Sequence, residues 1–226
     1  MTDAIGTEGA LDYLPATRRA YDTAAAGYAE IVPPLFQDDL FGRAMLSAFA
    51  ERVRAGAEPA GPVADLGCGP GHVTAHLHGL GLSAFGVDLS PRMVEVARAT
   101  HPDLRFDEGS MTGLDLPDDS LAGAVAWYST VHTPPEVLPV VFAEFHRVLA
   151  PGGQFVIAFK AGDRLHRLEH AYGHDLALDV YWRSPDTVAE LLGEAGLLVD
   201  ARLITEPDHR TNPRQGPQGY FIATKP

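Results

Sequence analysis

Residues 63–71 read Val63-Ala64-Asp65-Leu66-Gly67-Cys68-Gly69-Pro70-Gly71, an apolar run of strand length that breaks into glycines at alternate positions. Glycine takes positive φ without strain, and its bare backbone lets a ligand approach closely. A helix that starts straight after such a turn offers free amides to that ligand. The stretch therefore predicts strand, tight turn and helix, with a nucleotide-like ligand at the turn. Taken alone the signal is weak, because glycine-rich turns also serve as plain connections.

Outward from this stretch, apolar runs of strand length alternate with segments of helical period, the order expected of a parallel sheet wrapped by helices. The runs are Val63–Leu66, Ala84–Val87, Leu104–Phe106, Gly123–Tyr128, Gln154–Phe159, Leu198–Ile204 and Tyr220–Ala223, which give six or seven strands. Ser90 before Pro91 and Ser184 before Pro185 each set a capping hydroxyl ahead of a proline suited to the first helical turn. Thr133 with Glu136 has the spacing of a capping box, and Val137, Leu138, Val141, Phe142, Phe145 and Leu149 then form an apolar stripe. Two further helical patterns, Ala16–Ile31 and Leu40–Arg54, precede the first strand and read as an added cap. No internal repeat or low-complexity tract divides the chain, and Asn212–Gly219 reads as a polar connection between the last strands. The expected organisation is one domain: a loose tail over 1–12, a helical cap over 13–57 and an α/β core over 62–226.

A chain of 226 residues can bury a sizeable core without disulfides or metals. No apolar run approaches the roughly 20 residues of a membrane span, and residues 1–12 lack the pattern of a secretory signal, so a cytoplasmic protein without membrane partners is expected. The net charge of −13 repels phosphate backbones, which argues against a nucleic-acid substrate. Cys68 is the single cysteine, and it excludes any mechanism that needs a thiol pair. Its neighbours are apolar or glycine, so it reads as a small filler of the turn.

The next predicted strand ends at Asp88, close to the spacing at which an acidic residue of a Rossmann-type unit grips ribose hydroxyls. The dinucleotide pattern wants a third glycine where His72 stands, which favours a nucleoside over a pyrophosphate-bearing ligand. The other reading of Asp88 is a carboxylate that caps the helix at Ser90.

With these residues in hand, the chain resembles the class I S-adenosylmethionine-dependent methyltransferases of the small-molecule type over nearly its whole length. Asp65–Gly71 is similar to the family's first motif and Asp88 to its ribose acid. Gly109, Ser110 and Met111 sit where the family contacts adenine, and Leu149–Phe155 resembles its turn into the fifth strand. Tyr21, Asp22, Ala25 and Tyr28 are similar to a cap helix folded over the cofactor, with core packing the other reading of the tyrosines. Two positions depart from the family: Ser110 where an aspartate is common, and Ala122 where many members carry an acid before the fourth strand.

The resemblance implies a Rossmann-like seven-stranded, mostly parallel sheet with the last strand antiparallel. It also implies S-adenosylmethionine as cofactor, with S-adenosylhomocysteine as product. The implied cofactor residues are Tyr21, Tyr28, Asp65, Gly67, Cys68, Gly69, Asp88, Leu89, Met93, Ser110, Met111 and Tyr128. A general base, if the acceptor needs one, is expected at His132 after the fourth strand, with helix capping or packing its other reading. His166, His170 and His174 recur every fourth residue where the family places its substrate lid, and no metal site is expected from them. His166, His170, Tyr172, Tyr181 and Trp182 are the expected acceptor-binding residues, suited to an aromatic or polycyclic small molecule. Oxygen, nitrogen and carbon acceptors all stay open. A nicotinamide-dependent oxidoreductase, disfavoured by His72, and a non-catalytic nucleoside-binding regulator are the alternatives on the same fold.

Overall fold

The computed structural model describes residues 11, 13–56, 61–207 and 216–226. Its elements in chain order are α1 (Tyr13–Asp38), α2 (Leu40–Arg54), β1 (Val63–Leu66), α3 (His72–Gly79), β2 (Ala84–Asp88), α4 (Pro91–Thr100), β3 (Phe106–Glu108), β4 (Leu121–Trp127), α5 (Leu138–Val148), β5 (Leu149–Lys160), β6 (Arg164–Ala171), β7 (His174–Trp182), α6 (Pro185–Glu194), β8 (Leu198–Thr205) and β9 (Gln218–Thr224). The tail expected over 1–12 lies outside the described residues except for Leu11, as does the first half, 212–215, of the connection expected over 212–219.

Seven strands form one sheet in the order β3-β2-β1-β4-β5-β9-β8, in which β9 alone runs antiparallel to its neighbours. Chain order reverses at β1, between β2 and β4, and a crevice opens there beyond the strand ends. Side chains alternate across the sheet and so build two cores. On one face Ala64, Leu66, Ala124, Ala126, Phe155, Ile157, Phe221 and Ala223 pack with the stripes of α5 and α6. On the other, Val63, Val125, Val156, Ala158 and Ile222 meet Leu46, Phe49, Ala50 and Val53 of α2 and Val73 and Leu77 of α3. The second helix expected in the cap thus packs on the sheet, because its stripe is fully apolar where the sheet face needs covering.

Ser90 caps α4 as expected, its hydroxyl accepting from the Met93 amide at 3.1 Å. The expected capping box does not form: α5 starts at Leu138, and Thr133 stands in a turn in which its amide bonds the Thr130 carbonyl. Ser184 precedes α6 without a side-chain bond to it.

Between β5 and α6, where histidines recur every fourth residue, the chain forms a β-hairpin. β6 and β7 pair antiparallel around a two-residue turn, with Tyr172 at φ 54° and Gly173 at φ 81°. Positive φ at both positions suits the primed turns that match strand twist. The alternation Leu176, Leu178, Val180, Trp182, all buried, is the period-two signal for β7. Leu176 and Leu178 pack under Ala20 and Ala24 of α1, so helix and hairpin together roof the carboxyl edge of the sheet. No described helix is long and apolar enough to cross a membrane.

Candidate functional site

The glycine turn is shaped by what lies against it. Gly67, at φ +77°, has no room for a side chain, since a Cβ there would stand 2.3 Å from Ser129 Cβ. Its close approach joins the end of β1 to the loop after β4. Asp88, at the end of β2, ties the turn to α4: one carboxylate oxygen accepts from the Gly69 amide at 2.8 Å and the other from the Ser90 amide at 2.8 Å. Burial raises its pKa, against these two amide bonds, which lower it. Each oxygen keeps a further lone pair, so anchoring the turn and receiving ribose hydroxyls are compatible roles.

Asp65 is fully buried, and one of its oxygens accepts from Thr74 Oγ1 at 2.7 Å while Oδ1 has no partner. Burial first, opposed by the Thr74 hydroxyl and reinforced by the Asp88 charge, pushes it up to about 7. Cys68 is buried with its thiol pushed up by the same cause, and its sulfur fills the space where a Cβ on Gly86 would stand. It packs, as expected of a filler.

Beyond the turn a cleft divides into two lobes that share Tyr21, Tyr28, Gly67, Trp127, Tyr128 and His132. The inner lobe, about 70 Å³, adds Gly69, Asp88, Leu89, Ser110 and Met111. The outer lobe, about 2060 Å³, adds Asp65, Cys68, His166, Tyr172 and Trp182. Three of the expected site residues line neither lobe. The Met93 side chain is enclosed beneath α4, His170 faces solvent where it meets Asp175 at 3.0 Å, and the Tyr181 amide bonds the Val131 carbonyl at 2.8 Å while its ring lies near the Arg183 guanidinium. Among the described residues no group of His, Cys, Asp or Glu is placed to hold a metal, and in the hairpin His166, His170 and His174 lie opposite Val180, Asp175 and Ala171.

His132 is buried between two partners. Its Nδ1 lies 2.7 Å from the Asp179 carbonyl and its Nε2 2.8 Å from the Tyr21 hydroxyl. A carbonyl only accepts, so Nδ1 carries the proton and Nε2 accepts from the phenol. Burial, with the charges of Arg183 and Lys160, holds His132 below the ordinary histidine range, while Tyr21 is pushed up by burial and stays a phenol. Tyr21 stands edge-on to Tyr28 at 5.7 Å, and Tyr28 lies against Gly69. Asp22 reaches the far side of the turn, where its carboxylate accepts from Ser90 Oγ at 2.6 Å. Ser110 bonds Thr112 Oγ1 at 2.8 Å at the rim of the inner lobe. Ala122 lies inside β4 rather than before it, beside Gly61.

Sequence reasoning missed Tyr13, Leu14 and Thr17, which line the inner lobe from the first turn of α1, and Lys160 and Arg164, which line the outer one. Nothing in the spacing of residues so far apart announces that they share a cleft.

Residues 63–153 match the methyltransferase domain family. The chain is 32% identical over 115 residues to a malonyl-[acyl-carrier protein] O-methyltransferase of Erwinia billingiae, a match spanning 49% of this chain and 43% of that protein. It is 35% identical over 119 residues to a trans-aconitate 2-methyltransferase of Rhizobium meliloti, spanning 50% and 42%. The matches thus cover less than half the length of these relatives. Among solved structures, magnesium protoporphyrin IX methyltransferase from Synechocystis PCC 6803, with bound S-adenosylmethionine, superposes with a TM-score of 0.68 over 100% of both chains at 18% identity. A methyltransferase from Methanosarcina mazei does so with a TM-score of 0.67 at 16% identity, covering 76% of this chain and 96% of its own. At those identities the likeness is one of fold.

Proposed function

We propose that the chain, whose residues 63–153 match the methyltransferase domain family, binds S-adenosylmethionine at the glycine turn and transfers its methyl group to a small-molecule acceptor in the outer lobe. One observation carries this reading: two carboxylates flank the turn, the half-buried Asp88 and the fully buried Asp65, whose Oδ1 has no partner. Buried acids suit a ligand that brings hydroxyls and a positive charge, and they repel a pyrophosphate. Asp88 would hold the ribose and Asp65 would face the ammonium, with Leu89, Ser110 and Met111 around the base. The inner lobe is far smaller than the several hundred Å³ of a nucleoside pocket, and Tyr28, against Gly69, is the side chain whose rotation would enlarge it.

S-adenosylmethionine supplies a methyl group already activated by its sulfonium. The protein's part is to align the acceptor, exclude water and take up a proton where the acceptor bears one. Tyr21 and His132 are arranged for that last step. As the Tyr21 oxygen takes the acceptor's proton, its own passes to His132 Nε2, and the Asp179 carbonyl steadies the resulting imidazolium. The base is then His132 and the group facing the acceptor is the Tyr21 hydroxyl. Calorimetric titration with S-adenosylhomocysteine and with NAD tests the reading of the turn. Binding of the adenosyl compound alone is expected, and comparable affinity for NAD would reject the proposal.

A further inference from the structure

We propose that the outer lobe is built for an amphipathic anion, with Lys160 and Arg164 holding a carboxylate or phosphate of the acceptor and its apolar body lying along Leu35, Phe41, Leu176 and Leu178. The inference rests on the methyl-transfer reading of the same cleft and narrows its substrate.

The chain carries 30 acidic against 17 basic residues, yet two cations meet at one ring on the wall of this lobe. The Arg164 guanidinium lies 3.6 Å from the Trp182 ring centre and the Lys160 ammonium 5.3 Å from it. Among the described residues neither side chain makes an ion pair or hydrogen bond, and both lie over the indole. Like charges gathered without a counterion repel, and the cost grows as water is excluded. Lys160 is half-buried at the end of β5, and burial together with the Arg164 charge lowers its pKa.

The acidic groups of the lobe do not answer these cations. Asp39 accepts from the Gly42 amide and the Tyr220 hydroxyl, and Asp65 is bonded to Thr74 at the glycine turn. Asp38, Asp163 and Glu206 stand exposed at the rim and pair with neither Lys160 nor Arg164. An oxyanion is the partner the pair lacks, and a two-oxygen acceptor can meet both donors at once.

The position bears on the chemistry. The Tyr128 amide bonds the Ala158 carbonyl at 2.9 Å, which sets Lys160, two residues on, beside the loop that carries His132. The Lys160 charge is one of those that depress His132. An anion bound between Lys160 and Arg164 would therefore restore proton affinity to His132 as the acceptor arrives. The lining of the lobe also includes Leu35 and Phe41, 54% and 55% exposed, apolar surface that the body of an amphipathic ligand would cover.

Both tryptophans of the chain line the lobe, so their fluorescence reports its occupancy. The full-length protein is titrated with decanoate, decyl phosphate and decanamide, with and without S-adenosylhomocysteine. At least one anion should bind about tenfold or more tightly than decanamide, the fold-change of one charged hydrogen bond, and the tighter of the two tells carboxylate from phosphate. Lys160→Gln with Arg164→Gln should abolish that preference while decanamide affinity, S-adenosylhomocysteine affinity and Tm stay as in wild type. Each single variant should lose part of it, and Lys160→Arg should keep it. Equal binding of the three probes, binding of none, or a preference that survives in the double variant would overturn the proposal. Loss of S-adenosylhomocysteine binding with the anion preference intact would instead reject the methyl-transfer reading and leave the anion site standing.

Discussion

Tyr21→Phe removes a single oxygen and keeps the ring, which isolates the hydroxyl's contribution. The ring's edge contacts to Tyr28 at 5.7 Å and to His132 at 5.5 Å survive the change. The hydrogen bond to His132 Nε2 at 2.8 Å does not. His132 is 8% exposed and its other nitrogen is committed to the Asp179 carbonyl, so Nε2 becomes a buried acceptor without a donor. That leaves about 1–3 kcal/mol of lost stability, or a Tm about 2–12 °C lower for a chain of this length. If the hydroxyl relays the acceptor's proton, kcat should also fall about a hundredfold, while S-adenosylhomocysteine affinity changes by no more than about threefold. His132→Ala should cost a similar factor in rate, and the double variant should be no slower than the worse single variant, because the two side chains act as one unit. The assay is single-turnover methyl transfer across pH, on an acceptor that bears a proton, with calorimetry alongside. On the proposed relay neutral His132 is the active form, and burial lowers its pKa from about 6.5, so the wild-type rate should be level at pH 7 and above and fall on acidification below that value. If Tyr21→Phe keeps its rate while His132→Ala loses it, the relay is wrong and His132 works directly. If both keep their rates and pH profiles, the transfer proceeds by alignment alone.

Asp65 holds its proton up to about 7 in the free protein, and a cationic ligand favours its carboxylate, so S-adenosylhomocysteine affinity should rise with pH between about 6 and 8. Calorimetry in two buffers of different ionisation enthalpy should record proton release on binding, and Asp65→Asn should abolish both effects. Gly67→Ala forces a side chain into a left-handed backbone at 2.3 Å from Ser129 Cβ, whereas Gly152→Ala meets the same kind of backbone with no neighbour within 4 Å. The first should lower Tm well beyond the second, which loses only the ~1–2 kcal/mol of the strained conformation; equal losses would show that the turn can shift away from the Ser129 loop. Phe49→Ala, at a fully buried site between α2 and the sheet, should cost about 3–5 kcal/mol in urea denaturation, and a loss below about 1 kcal/mol would mean that α2 is a detachable cap.

The strands of the large sheet were legible because each carries an apolar run bounded by glycine, proline or polar residues, although the third, expected over Leu104–Phe106, pairs over Phe106–Glu108. The glycine turn and Asp88 were legible for the same reason, since a tight turn and a strand end are local features. The capping box at Thr133 and Glu136 shows where local evidence gives way. Its spacing is right, but the Tyr181 amide binds the Val131 carbonyl and the Arg183 guanidinium the Thr133 carbonyl, so β7 holds residues 131–133 as a loop and α5 begins later. The hairpin in the same region was not read from the sequence, although the alternation from Leu176 to Trp182 held the answer for β7.

What the sequence by itself determined is the elements of the seven-stranded sheet, their order and the backbone of the ligand turn, all governed by interactions between residues close along the chain. Tertiary structure decided which side chains meet. Tyr21 and His132, 111 positions apart, share a hydrogen bond because α1 lies on the hairpin and the hairpin lies on the loop after β4. Lys160 and Arg164 meet at Trp182 because β6 pairs with β7 in the register that sets Arg164 opposite Trp182. Met93, Tyr181 and His170 miss the cleft by the same rule. A side-chain period says which way a residue faces within its own element, and only the packing of that element on the others says what stands there to be faced.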